Sequence, residues 1–461
     1  MKGIAFLTVI GALALLLGVF VNATSTYYNT PINASYPDER DVNNLTMIYD
    51  AFLSNNLKFF LFWDEVENYT YGGNIVESSE IMVSASEDFV NWTGARKDIV
   101  ISYKDGTDAR NPSAAVDRYG TIYVLWEEMN KTSLHWEIYY GLSYDGINWT
   151  STNSNHLVSN NRDDKVTDCK SPKVAVDSSP TAHAVWIALN VTTNSWELYY
   201  GKYLGGNWSS ELGDYIISKA DKYNVTSCDI LVDSQDNIWV FWTEFNETVA
   251  NDEVYAACSS DYGQSWTTEM ISYPGGNNSM NVTATKDAFN IYVFWEQKVG
   301  NSTEIMVSVF NGTDWSGKYG DRLVSFPDGY DARHPAASAS LPGIFVVWDE
   351  YDENTNARQI MISNSTDGIN WSGAQVDAGD IPITNTSTEH QMPGILVNES
   401  GELFIVWEEW IEYKQRGSRE VFVLNAPAQE IVPEIPYIYV LPALVAVHIY
   451  AVRKISRLRD T

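Results

Sequence analysis

Seven times along the chain a short run of aliphatic and aromatic residues closes on a tryptophan. "FFLFW" ends at Trp63, "IYVLW" at Trp126, "AHAVW" at Trp186 and "IWVFW" at Trp242. "IYVFW" then ends at Trp295, "IFVVW" at Trp348 and "LFIVW" at Trp407, and the successive gaps are 63, 60, 56, 53, 53 and 59 residues. Such runs, rich in β-branched and aromatic side chains, read as buried strands. A period near 57 residues is far longer than a hairpin and requires an array of similar units.

A second tryptophan series is interleaved with the first, at Trp92, Trp149, Trp208, Trp266, Trp315 and Trp371, so the two together hold 13 of the 17 tryptophans. Between each pair lies a strand opening on an acidic or polar residue, as in "EIMVSAS" at Glu80, "EIYYGLS" at Glu137 and "QIMISNS" at Gln359. Before each Trp-ending strand lies one more, such as "PSAAVD" (112–117) or "PKVAVD" (172–177). Four short strands per unit, A to D, repeated in this way indicate an all-β propeller with four-stranded blades.

The second tryptophan of each unit ends the turn between strands C and D. "SSDYGQSW" (259–266) carries Ser, Asp, Gly and Trp at the spacing S-x-D-x-G-x-x-W, while "SYDGINW" (143–149) and "STDGINW" (365–371) match with one residue fewer. "SEDFVNW" (86–92) lacks the glycine, and the copies ending at Trp208 and Trp315 have lost the Ser and Asp positions. In this phrase the chain resembles the Asp-box (BNR-repeat) propellers of the sialidase-like family, over roughly residues 45–425. The resemblance implies a structural role for Asp88, Asp145, Asp261 and Asp367 and for Trp92, Trp149, Trp266 and Trp371. The carboxylate is expected to accept turn N–H groups, and the indole to fill the wedge between adjacent sheets.

Seven B-type strands face only six C-to-D turns, because the last unit stops after "EVFVLNA" (420–426). "NTPINASYPDERD" (29–41) echoes the D strand and exit segment "DRLVSFPDGYDAR" (321–333). The expected architecture is therefore seven blades, with the N-terminal segment supplying the outer strand of the last; six blades, as in sialidases proper, is the alternative count.

The ends suggest where such a domain resides. Residues 1–23 read as a signal peptide, with Lys2, an apolar run from Ile4 to Val21 and small residues at Val21 and Ala23. The propeller occupies 24–425 and a Pro-containing linker 426–434. Residues 435–452 are free of charge and span roughly 27 Å as a helix, the thickness of a bilayer core. Arg453, Lys454, Arg457 and Arg459 follow in a tail, 453–461, placed in the cytoplasm by the positive-inside rule. A buried C-terminal strand or helix is the other reading of the apolar run. Nineteen Asn-x-Ser/Thr sequons fit a glycosylated extracellular domain. With 60 acidic and 29 basic residues, a net charge of −31, the chain is a poor match for nucleic acid.

The D-to-A and B-to-C loops share one face, where propellers usually bind ligands. On it the phrases "DGTDARNP" (105–112) and "DGYDARHP" (328–335) are duplicates. They set Arg110 and Arg333 at equivalent points, each beside its own aspartate, Asp108 or Asp331. Two guanidinium forks suit a carboxylate or sugar; alternatively each braces its own loop. His334 follows Arg333, and carboxylates such as Glu127 and Asp349 end the B strands on the same face. Repeated in nearly every blade, these carboxylates read as a structural rim rather than a catalytic pair. No cofactor is implied, although an oxygen-rich rim is compatible with Ca²⁺. The resembling sialidases use an Arg triad, a Tyr–Glu nucleophile pair, an Asp acid/base and a [FY]-R-I-P motif. That motif is absent here, and Arg40 in "DERDV" is its nearest substitute. Outside a cell, Cys169 and Cys228 are candidates for a disulfide, with Cys258 left as a free thiol. The expected partner is a glycan or surface protein, with glycoside hydrolysis as the alternative activity.

Overall fold

The computed structural model describes residues 30–428 apart from 51–52, 54–55, 160–165, 210–214, 275–276, 341–342, 375–379 and 413–416. The expected signal peptide, the apolar run 435–452 and the basic residues after it lie outside the described residues. Among those described, no helix is long and apolar enough to cross a membrane.

Seven antiparallel sheets follow one another around a ring. Blade 1 runs Val42–Tyr49, Phe59–Tyr71, Asn74–Ser86 and Ile99–Val100, and blade 4 runs Val225–Val232, Ile238–Asn246, Asn251–Ser259 and Thr267–Met270. In most other blades, too, strand D is reduced to two residues, and in blade 2 to a single bridge between Tyr139 and Leu157. The B strands sit between two neighbours and have blades on both sides. That explains their unbroken apolar runs: Phe60, Leu61, Phe62 and Trp63 are all fully buried.

The core is seven separate wedges rather than one centre. Each is a cluster made by the facing sides of two adjacent sheets; Trp63 and Trp92, for example, pack with Phe404, Val406 and Val421 across the joint between blades 7 and 1. Both tryptophan series face the preceding blade, so Trp126 and Trp149 share the next wedge, and Trp348 and Trp371 the one between blades 5 and 6. The joint between blades 6 and 7 has only Trp407, because blade 7 has no C-to-D turn; small residues, Ala426 and Ala428, complete it.

The turns behave as the carboxylate geometry requires. Asp145 Oδ1 accepts from the backbone N–H of Ile147 (2.9 Å) and Asn148 (2.7 Å), and Asp367 Oδ1 from Ile369 and Asn370 (both 2.8 Å). Asp88 and Asp261 do the same with Val90 and Asn91, and with Gln264 and Ser265. These bonds favour the charged form, and Asp88 is lowered to about 2.

The seventh blade takes its fourth strand from the N-terminal segment. Ile32–Asn33 pairs antiparallel with Gly417–Pro427, matching Ile32 to Val423 and Asn33 to Phe422. Two residues on, Ser35 repeats a clasp found in the other blades. In blade 5, Ser325 Oγ donates to Glu304 (2.7 Å) and accepts from Ile305 N–H (2.9 Å). In blade 7, Ser35 Oγ donates to Glu420 (2.6 Å) and accepts from Val421 N–H (3.0 Å) across 385 residues of sequence. Ser102, Ser159, Ser218 and Ser272 make the same pair of bonds in blades 1 to 4. Thr384 keeps the backbone half in blade 6.

Three details differ from expectation. Strands B and C of blade 1 are each 13 residues long, well beyond "FFLFWDE" and "EIMVSAS". Residues 66–71 continue the strand pattern, and Gly72 and Gly73, both at positive φ, close a two-residue turn. The last sheet runs two residues past the boundary set at 425. Cys169 and Cys228 are buried and carry no disulfide, and Cys258 is half-buried. Cys169 points into the wedge between blades 2 and 3, and Cys228 into that between blades 3 and 4. The third sheet stands between their side chains, so no disulfide forms.

Deleting residues 30–36 should leave blade 7 with an open edge and buried Glu420 without Ser35. We expect a loss of several kcal/mol in chemical denaturation, and about 1–2 kcal/mol for Ser35→Ala alone. An unchanged midpoint in the truncated protein would mean that the segment does not close the ring.

Candidate functional site

Each A strand breaks its register near the face bearing the D-to-A loops, and in six blades the break carries a non-glycine residue at positive φ. These are Asn44, Asn111, Ser171, Asn281, His334 and Met392, with φ between 51° and 56°. Asparagine and histidine tolerate that conformation more readily than most side chains, so serine and methionine sit there at a cost of the order of 1 kcal/mol. The bulge turns its N–H out of its own sheet.

The acceptor is the residue just after the B-strand tryptophan of the preceding blade. Asn111 N–H reaches Asp64 (3.1 Å), Ser171 reaches Glu127 (3.1 Å), His334 reaches Glu296 (2.8 Å) and Met392 reaches Asp349 (3.3 Å). The bulge side chain of the same blade completes the shell. Asn44 donates to Asp64 (2.7 Å), Asn281 to Glu296 (2.7 Å) and Asn111 to Glu127, while His334 Nδ1 lies 2.7 Å from Asp349. The second residue after each tryptophan has a different task. Glu65, Glu128, Glu244, Gln297, Glu350 and Glu409 each accept the indole N–H of their own tryptophan at 2.7–3.1 Å. Blade 3 has Ala188 there, and the Trp186 indole N–H has no partner among the described residues.

A third ring joins the loops to the strands. Asp108 accepts from Ser79 N–H (3.0 Å) and Asp331 from Thr303 N–H (2.8 Å), each on the C strand of the preceding blade. Asp41, Asp168, Asn224, Asn278 and Glu389 occupy the same place in the other five joints. Arg110 and Arg333 then pair with their own aspartates, at 2.6 and 2.8 Å. The structure does not bring the two arginines to one point. Arg110 lies over the Trp136 ring, 4.8 Å from its centroid.

Hollows lined by described residues open on this face. The central channel, about 660 Å³, is lined by the A strands of all seven blades. The second, about 480 Å³, lies between blades 7, 1 and 2 and is walled by the long blade 1 hairpin. Asn43, Asp64, Ser78, Arg110, Gln391 and Glu408 line it. Burial pushes Asp64 up to about 6 and Glu408 up to about 7, and the Asp64 charge adds to the rise at Glu408. On blade 6, Asp349 is fully buried and also receives Arg358 Nε at 2.6 Å. Burial pulls the His334 imidazole down, but the Asp349 carboxylate beside it, with Glu296, raises it above its ordinary value.

Arg358 is the residue that the sequence reading missed. It stands one position before Gln359 at the head of a C strand, where no phrase is duplicated. Glu127, Asp349 and His334 are on the expected face, and each is engaged in the bulge ring.

No protein-family model and no curated protein matches the chain. Solved structures of similar path include a protein of unknown function from Dyadobacter fermentans, at 11% identity over 86% of this chain and 98% of that one, with a TM-score of 0.49. The Hadza microbial sialidase Hz136 is 12% identical over 81% of this chain and 78% of its own, with a TM-score of 0.45. The polysaccharide lyase Uly1 is 12% identical over 88% and 94%, with a TM-score of 0.47. Likeness at this level carries no argument about the chemistry of this chain.

The buried carboxylates fix a pH dependence. Burial raises Glu80, Glu127, Glu137, Glu244, Glu304 and Glu408 to about 7 and Glu128 to about 8. A carboxyl raised on folding contributes stability that is present below its unfolded pKa and is lost as pH rises through the folded value. The turn aspartates act in the opposite sense: their contribution is present above their unfolded pKa and fades as pH falls towards about 2. The melting temperature should therefore climb as pH is lowered from about 8 to 5 and fall again below about 4. A melting temperature that is highest at the alkaline end of that range would contradict this assignment.

Proposed function

We propose that this chain is an exported, membrane-anchored propeller of the Asp-box, sialidase-like kind that binds a glycan in the hollow between blades 7, 1 and 2. The observation that carries the reading is Arg110. Its pairing with Asp108 uses one terminal nitrogen, it is half-exposed, and it lies over an indole at the mouth of a polar hollow. A guanidinium beside amide and hydroxyl groups suits a carboxylate-bearing or hydroxyl-rich sugar. Export and anchoring are supported by the apolar runs 4–21 and 435–452, the basic residues after 452 and the nineteen sequons.

A second reading, glycoside hydrolysis, is favoured by Asp64 and Glu408. Two carboxyls with elevated pKa values in one hollow are the equipment of acid–base cleavage of a glycosidic bond. Against it, Asp64 already accepts from Asn44 and Asn111.

On a broad glycan panel, the protein should retain a defined subset of sugars. Arg110→Ala should weaken that binding at least about tenfold, the value of one charge-assisted bond. Its melting temperature should stay nearly unchanged, because an exposed ion pair is worth only about 0–1 kcal/mol. Turnover of fluorogenic glycosides that disappears in Glu408→Gln would promote hydrolysis over binding. A panel without any retained glycan would remove both readings.

A further inference from the structure

The clasp and the tryptophan ladder define a three-residue cage that recurs at several joints between blades. One residue is the second after the B-strand tryptophan. Another stands four positions before the clasp Ser or Thr on the D segment. The last stands three positions after the clasp Ser of the preceding blade. In blade 2 these are Glu128, Asn155 and Asp105. Asn155 Nδ2 donates to both Glu128 (2.8 Å) and Asp105 (3.2 Å), so an amide bridges the two carboxylates. In blade 4 they are Glu244, Thr268 and Asp221, and Lys219 lies 3.4 Å from Asp221. In blade 5 the first position is the neutral Gln297, which faces Asp321 in the second.

In two blades all three positions are acidic. Asp38, Glu65 and Asp98 meet at the joint between blades 7 and 1, and Asp328, Glu350 and Asp380 at that between blades 5 and 6. In each group one carboxylate oxygen per residue lies within 4.8 Å of the others. Glu65 is 1% exposed. Its Oε2 accepts the Trp63 indole N–H, and its Oε1 is buried with no hydrogen-bond partner among the described residues. Asp380 as a residue is half-buried, but its Oδ2 is buried and faces the Glu350 carboxyl. Arg40 reaches the outer oxygen of Asp38 at 3.1 Å, but no lysine or arginine among the described residues is ion-paired with the second group. A buried carboxylate oxygen with neither donor nor cation is left at a large desolvation penalty.

We propose that Asp38, Glu65 and Asp98 bind a calcium-like divalent cation, and that Asp328, Glu350 and Asp380 form a second site of the same construction. The donors are oxygens alone, which suits a hard cation and excludes the nitrogen and sulfur preference of zinc or copper. Backbone carbonyls and water complete the shell of roughly six to eight ligands that calcium takes. The first site joins three pieces of chain: the segment just after the closing strand, strand B and strand D of blade 1. Tyr36 N–H already bonds Asp98 at 3.0 Å, so a cation there would tie the ring's closing segment to the next blade. The proposal is independent of the ligand taken by the hollow.

Trp63 and Trp348 each bond a proposed ligand, which places an antenna for lanthanide emission at both sites. The full-length protein should give tryptophan-sensitised Tb³⁺ emission with two ions per chain, displaced by Ca²⁺. Millimolar Ca²⁺ should raise the melting temperature over EDTA by about 2–4 °C. Asp98→Asn and Asp380→Asn install the residue type that blade 2 already carries, so both variants should fold. Each should lose one Tb³⁺ per chain, and the double variant both, together with the Ca²⁺-dependent shift. Absence of sensitised emission, with equal melting in Ca²⁺ and EDTA, would overturn the proposal. Emission that persists undiminished in the folded double variant would overturn it equally.

Discussion

The ring depends on a closure that brings together residues 385 apart in sequence, Ser35 and Glu420. Ser35 holds Glu420 and Val421 in the position that five other serines and one threonine hold in their own blades. In those blades the clasp is local: strand C and strand D are joined by a short turn, and the loop-closure entropy is small. In blade 7 the same two bonds and a two-residue ladder must close the whole chain into a ring. The wedge packing on either side of that joint is worth far more than the clasp, but it forms only once the ends meet.

The acidity of the chain acquires a physical meaning from the three rings of bonds. Carboxylates placed after each B-strand tryptophan receive either a left-handed bulge N–H from the next blade or the indole N–H of their own. Those before the A strands receive N–H groups from the preceding C strand. Much of the negative charge is thus directed at donors that face outward from sheet edges, where neutral side chains would leave backbone groups unsatisfied. The departures from the pattern gather in blades 3 and 4, with Ile187, Ala188 and Thr243. The opposite side of the ring, around blades 7, 1 and 2, is where the acids are joined by Arg110 and a hollow.

The strands were legible because buried B strands between two sheets must be apolar along their whole length, as "IYVFW" and "IFVVW" are. The turn phrase told where each unit folds back, and the match between "NTPINASYPDERD" and "DRLVSFPDGYDAR" told where the last strand comes from. Side-chain direction was less legible. Nothing in "DCKSPKVAV" or "TSCDILV" announces a bulge, so Cys169 and Cys228 looked adjacent although a sheet divides them. The duplicated Arg phrases pointed to equivalent positions, yet equivalence in a ring means separation: the symmetry that makes Arg110 and Arg333 alike also keeps them three blades apart. Arg358 escaped because its role rests on Asp349 being buried behind it, which no spacing reveals.

The seam has one more consequence, and it concerns orientation. In blade 7 strand C ends, and the closing strand begins, on the side of the ring that carries the A-to-B turns and the C-to-D turns. Thr30 and Ala428, the first and last described residues, therefore both lie on that side of one blade. The hollow beside Arg110 opens on the opposite side. An attachment made through these two ends would leave the hollow beside Arg110 facing away from it.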